Sequence, residues 1–218
     1  MNKDLFFDYG ELLFAYRFTP ETLRRADEVM LQRVTQFGKN ITANDLSQAH
    51  KQAIQAYLRS RDQSGQEWPM DRIMGLALSK MGIKDERAID LAVETYKMHD
   101  HDEFPLPGIK SLVPELARGH QLHIVSNLPH NSPLTTLRNH GLLDYFSTVT
   151  FSYEAGYRKP RPEIYQLALK KAKCSPEKGI FISHDQEEVD GAKRVGMQAF
   201  LATNADEIRG ALHENSLY

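Results

Sequence analysis

Four polar groups stand where short apolar runs of this sequence stop. Asp8 closes Leu5-Phe6-Phe7, Ser126 closes Leu122-His123-Ile124-Val125, Lys159 follows a run near Thr148–Ser152, and Ser183-His184-Asp185 closes Gly179–Ile182. A carboxylate can attack an electrophilic centre and hold the product covalently until water frees it. An ammonium beside it offsets charge, and a hydroxyl with neighbouring backbone N–H groups binds an oxygen. Turn chemistry alone explains one polar residue at a strand end. Four of them, a carboxylate and an ammonium included, point to a site.

The elements that must position these groups are legible in outline. Leu5-Phe6-Phe7, stopped by Asp8-Tyr9-Gly10, reads as a strand buried on both faces. From about Thr19 to Leu91 strand signals are nearly absent. Thr19-Pro20-Glu21-Thr22 starts a helix, Thr42-Ala43-Asn44-Asp45 a second, and Pro69 or Asp71 a third, so this stretch reads as about four helices. After Pro105 strands and helices alternate: a helix through Leu116, a strand to Ser126, and a helix near Pro133–His140. A strand near Thr148–Ser152, helix Pro162–Ala172, strand Gly179–Ile182, helix Val189–Val195 and strand Ala199–Ala202 follow. The expected fold is α/β, a Rossmann-like doubly wound parallel sheet with a helical insertion. Residues 1–15 and 101–218 form the core domain and residues 16–100 the insert. In such sheets ligands bind at the carboxyl ends of the strands, where the four groups lie.

The 218 residues suffice for one core and a smaller insertion. The net charge of −2 comes from 27 basic and 29 acidic residues that are interspersed, so no basic stripe suggests nucleic acid. The one cysteine, Cys174, excludes an internal disulfide and reads as inert. The first apolar run is too short for a signal peptide or a membrane span. A cytoplasmic protein, a monomer or homodimer that takes a small-molecule substrate, is expected.

Four segments carry a resemblance. They are Leu5-Phe6-Phe7-Asp8-Tyr9-Gly10-Glu11-Leu12-Leu13, then Ile124-Val125-Ser126-Asn127, then Gly156-Tyr157-Arg158-Lys159-Pro160-Arg161-Pro162-Glu163-Ile164-Tyr165, and finally Ile180-Phe181-Ile182-Ser183-His184-Asp185 running on to Gly191-Ala192-Lys193-Arg194-Val195-Gly196-Met197. In order and wording the chain resembles the haloacid-dehalogenase superfamily, as a subfamily IA-like member with a helical C1-type cap between the first and second motifs. The resemblance implies a hydrolase, most readily a phosphatase acting on a small phosphorylated metabolite through an aspartyl-phosphate on Asp8. Ser126 and Asn127 would bind the substrate's oxygens, and Lys159 would offset charge on nucleophile and substrate together. Mg²⁺ would be held by Asp8, the Gly10 carbonyl, and an acid of the fourth motif, Asp185 or Glu188; hard oxygen ligands suit that ion.

Two departures qualify what the resemblance implies. Family phosphatases place a second Asp two residues after the nucleophile as leaving-group acid; Gly10 stands there. The usual first metal carboxylate of the fourth motif falls on His184. Ser183, Asp185, Glu188 and Tyr165 also match the dehalogenase branch, which works without metal, although its hydroxyl residue four positions after the nucleophile is here Leu12. A metal-free hydrolase of that kind is the second reading, and a catalytically weak ligand-binding member the third. Asp185, Glu187, Glu188 and Asp190 also suit a helix N-terminus. His99-Asp100-His101-Asp102 reads as a polar hinge rather than a metal cluster.

Overall fold

The computed structural model describes residues 3–38 and 40–215. Strand β1 (Asp4–Phe7) is followed by β2 (Phe14–Arg17). Helices α1 (Pro20–Val34), α2 (Ala43–Ser64), α3 (Met70–Lys80) and α4 (Glu86–His99) come next. Then follow β3 (Asp102–Pro105), α5 (Ile109–Leu116), β4 (Gln121–Ser126), α6 (Ser132–Asn139) and β5 (Phe146–Phe151). The chain ends with α7 (Ser152–Ala155), α8 (Pro162–Ala172), β6 (Gly179–Ser183), α9 (Gln186–Arg194), β7 (Gln198–Leu201) and α10 (Ala205–Glu214). The chain divides into two compact units, one comprising residues up to Tyr16 and from Glu103 onward, the other Arg17–Asp102.

In the first unit, five parallel strands lie in the order β5-β4-β1-β6-β7. Alternate residues of β1 serve two cores. Leu5 and Phe7 pack with Ile109, Leu112, Leu137, Ile208 and Leu212 from α5, α6 and α10. Phe6 packs with Ile164, Tyr165, Leu169, Val189 and Ala192 from α8 and α9. Helices therefore cover both faces, and a fully apolar β1 is what a doubly covered strand requires. From β1 the chain winds through β4 and β5 on one side and resumes with β6 and β7 on the other, so its direction reverses between β1 and β6. A crevice opens at the carboxyl ends of strands at such a reversal.

The helical unit has its own core of Met30, Val34, Leu46, Ile73, Met74, Leu78 and Tyr96. Capping boxes open α1 and α2: the Thr19 hydroxyl accepts from Thr22 N–H at 3.1 Å, and the Thr42 hydroxyl accepts from Asp45 N–H at 3.2 Å. Among the described residues no helix is long and apolar enough to cross a membrane.

The structure adds elements that the sequence did not announce. β2 and β3 pair in a separate two-stranded sheet; unlike β1, β3 carries no apolar run that would mark it as a strand. α10 is capped by Asn204, whose side chain accepts from the N–H groups of Asp206 and Glu207. α9 begins at Gln186 rather than Val189, because Asp185 caps it through Glu187 N–H at 2.7 Å.

Candidate active site

β1 ends against β6, where Asp8 N–H donates to the Ile182 carbonyl at 2.9 Å. This pins the Asp8 backbone at the reversal of the sheet while its side chain, 4% exposed, faces the crevice. Oδ1 of Asp8 accepts from Lys159 Nζ, and Oδ2 accepts from His184 Nδ1 at 2.9 Å. An ionised carboxylate only accepts hydrogen bonds, so Nδ1 of His184 is the protonated nitrogen.

Lys159 is as buried as Asp8. Its ammonium also donates to the Val125 carbonyl at 2.8 Å and pairs with Glu188 Oε2 at 2.9 Å. The loop carrying it is tied to β4 by Asn127, whose Oδ1 accepts from Lys159 N–H at 2.7 Å. The Asn127 amide donates to the Lys159 carbonyl at 3.3 Å and to Glu188 Oε1 at 2.9 Å. Ser183 Oγ donates to Glu188 Oε2 at 2.7 Å, and Tyr165 O–H donates to the Glu188 carbonyl at 2.7 Å.

Burial raises the pKa of any carboxyl, and for Asp8 this is the largest single influence; the Lys159 charge and the His184 hydrogen bond outweigh it and hold Asp8 below the ordinary carboxylate range. Burial pushes Lys159 down, yet Asp8 and Glu188 together hold it above the ordinary lysine value. Glu188 lies above the usual range because burial prevails over its share of Lys159. The hydrogen bond to Asp8 raises His184. The site thus keeps an ionised carboxylate and a charged ammonium out of bulk water, the state a carboxylate nucleophile needs.

Asp8, Gly10, Ser126, Asn127, Lys159, Asp185 and Glu188 all border one cavity of about 350 Å³. Tyr16 and Arg158 also border it and were not anticipated as site residues. Tyr16 carries the most weight. A Cβ built on Gly10 would stand 2.8 Å from Tyr16 Cε2, so the phenol ring fills the space beside Gly10. The pairing of a glycine with an aromatic six residues later, across a turn, has no periodic signature.

The donor set does not fit Mg²⁺. Oδ2 of Asp8 faces the His184 N–H, both carboxylate oxygens of Glu188 are engaged by Asn127, Ser183 and Lys159, and Asp185 caps α9. Among the described residues no group of three or more His, Cys, Asp or Glu side chains is placed to hold a metal ion. At residues 99–102, His101 pairs with Asp100, while Arg25 binds the His99 carbonyl and Asp102. The Cys174 thiol is pushed up to about 12, first by burial, and stays protonated at neutral pH.

Comparisons with known proteins bear on the family and the fold. A family profile described as haloacid dehalogenase-like hydrolase matches residues 33–202. The haloacid dehalogenase-like hydrolase domain-containing protein 3 of Bos taurus is 28% identical over 196 residues, 82% of this chain and 75% of that protein. A phosphorylated carbohydrates phosphatase of Thermotoga maritima is 26% identical over 66% of this chain and 74% of its own length. The fold is similar to that of a 2-haloacid dehalogenase from Pseudomonas syringae, with a TM-score of 0.67 at 18% identity over 98% of this chain and 99% of that one.

Proposed function

The chain belongs to the haloacid dehalogenase-like hydrolases, and from that premise we propose that it is a phosphatase of small phosphorylated metabolites in which Asp8 is the nucleophile. The helical stretch 16–100 is assigned to the cap position of the family. The observation that carries the reading is the buried, ionised Asp8 with one oxygen on Lys159 and the other on His184, facing the cavity. Phosphatase names among the curated relatives support phosphorus as the centre attacked.

In the proposed reaction an Asp8 oxygen forms a bond to phosphorus as the bond to the leaving oxygen breaks, and the electron pair departs with the leaving group. Water then attacks the aspartyl-phosphate, releasing phosphate and restoring the carboxylate. Lys159 offsets the charge on Asp8 and the phosphoryl oxygens, and Ser126 at the end of β4 is assigned to a phosphoryl oxygen. Asn127 is assigned a positioning task beside the substrate-binding one that its motif implies. Its side chain holds the Lys159 backbone and Glu188, so it positions the ammonium.

A second reading, metal-free hydrolysis at carbon, is favoured by one observation: the Ser183–Glu188–Lys159 network leaves Glu188 no free oxygen. A screen of phosphate monoesters against 2-haloacids decides between the two. Phosphate release that disappears in Asp8→Asn supports the first; halide release without phosphate release replaces it with the second.

A further inference from the structure

We infer that His184 stands in the place of a divalent cation, so that the Asp8 site works without metal. The inference rests on the reading of Asp8 as nucleophile and extends it to how that carboxylate is held. Three observations carry it. First, the oxygen of Asp8 that Lys159 does not hold faces the His184 ring at 2.9 Å, and a cation on that oxygen would have to displace the ring. Mg²⁺ binds oxygen at about 2.0–2.1 Å and requires near-octahedral oxygen ligands, which an imidazole N–H cannot supply.

Second, the acids that would complete a metal site have other work. Glu188 Oε1 takes the Asn127 amide at 2.9 Å, and Oε2 takes Ser183 at 2.7 Å and Lys159 at 2.9 Å. Turning it toward a cation would strip Lys159 of its second carboxylate and leave the Ser183 hydroxyl and one Asn127 N–H without their acceptor in a buried site, where an unmet donor is costly. Asp185 accepts from Glu187 N–H and starts α9. Third, His184 is rigidly delivered. It follows β6 directly, Ser183 is wholly buried, and the Ala202 N–H donates to the Ser183 carbonyl at 3.0 Å. Lys159 and the His184 N–H thus fix both oxygens of one carboxylate, the orienting task that a cation would otherwise perform. His184 acts on Asp8 and is a positioning residue.

The test uses the full chain, freed of metal by chelator and dialysis, with Mn²⁺ binding read by electron paramagnetic resonance and nitrophenyl phosphate turnover followed in parallel. The wild type should show no saturable Mn²⁺ binding at millimolar ion, and its turnover should be the same in excess EDTA as in Mg²⁺. His184→Asp should bind one equivalent of Mn²⁺ and depend on metal for turnover. His184→Glu serves as a second carboxylate variant should the first fail to fold. One equivalent of Mn²⁺ on the wild type overturns the inference, as does a folded carboxylate variant that gains no Mn²⁺ binding. If no ester turns over under any condition, the phosphatase reading fails, while the Mn²⁺ measurement still decides the role of His184.

Discussion

Asp8, Lys159 and Glu188 form a buried set in which one ammonium serves two carboxylates, and each member responds differently to removal. Asp8→Asn keeps the shape of the side chain and leaves Lys159 paired with Glu188 and the Val125 carbonyl. It should fold normally and lose at least about 10³-fold in kcat, measured with nitrophenyl phosphate. Lys159→Met leaves two carboxylates facing each other without a cation. A loss of about 3–5 kcal/mol in unfolding free energy is expected. With Lys159 gone, one carboxyl's folded pKa rises, so the folded variant binds a proton that the unfolded chain releases. The deficit of the variant should therefore be smaller near pH 5 than near pH 8, as denaturant unfolding at the two pH values will show. At Gly10 the Tyr16 ring blocks an added side chain. Gly10→Asp alone should not speed alkyl phosphate hydrolysis, whereas Gly10→Asp with Tyr16→Ala should raise it relative to nitrophenyl phosphate, because only alkoxide departure needs a proton donor.

At the scale of elements, α9 is what holds the Lys159 loop in register. A Cβ on Gly191 would lie 2.8 Å from the Pro160 carbonyl oxygen and 2.8 Å from the Tyr165 hydroxyl. The helix can approach the loop this closely only because no side chain intervenes. Gly191→Ala should cost about 1–3 kcal/mol by overpacking, despite the better helix propensity of alanine, and should lower kcat through a displaced Lys159. A thermal melt and a turnover assay on the same sample check both effects.

On the scale of the whole molecule, the two units have separate cores, and one of them carries its own acid sensitivity. His50 of α2 contacts the Tyr96 hydroxyl of α4, and its Nε2 is buried with no hydrogen-bond partner among the described residues. Burial pushes its pKa down to about 4. The folded state therefore holds His50 neutral, while the unfolded chain takes up a proton below its ordinary value of 6.5. Stability present above about pH 6.5 should be lost as pH falls toward 4, by up to about 3 kcal/mol. His50→Gln should flatten the dependence of unfolding free energy on pH in that window; an unchanged slope would place the acid sensitivity elsewhere.

How much of this was legible without coordinates follows from the range of the interactions. Helix α8 reads directly from Pro162 to Ala172, and the strand ends that present Asp8, Ser126 and Ser183 follow from short apolar runs and their polar stops. These are local patterns, set by propensity, capping and burial over a few residues. The parallel sheet with helices on both faces follows from the alternation of strands and helices, a property of element order. Other features depend on which distant residues meet. Glu188 reads in sequence as a metal ligand by resemblance or as an acid suited to a helix N-terminus; in the structure it accepts hydrogen bonds from Ser183 and Asn127 and pairs with Lys159. Asp185 reads equally as ligand or cap, and its contact with Glu187 N–H shows it in the capping role. His184 in sequence is a loop histidine after a strand, and only the neighbouring end of β1 brings Asp8 within 2.9 Å of it. The residue types, their order and the strands that carry them are written in local patterns of the chain. Tertiary structure decided which oxygen faces which donor, because that depends on contacts across as many as 176 positions of chain.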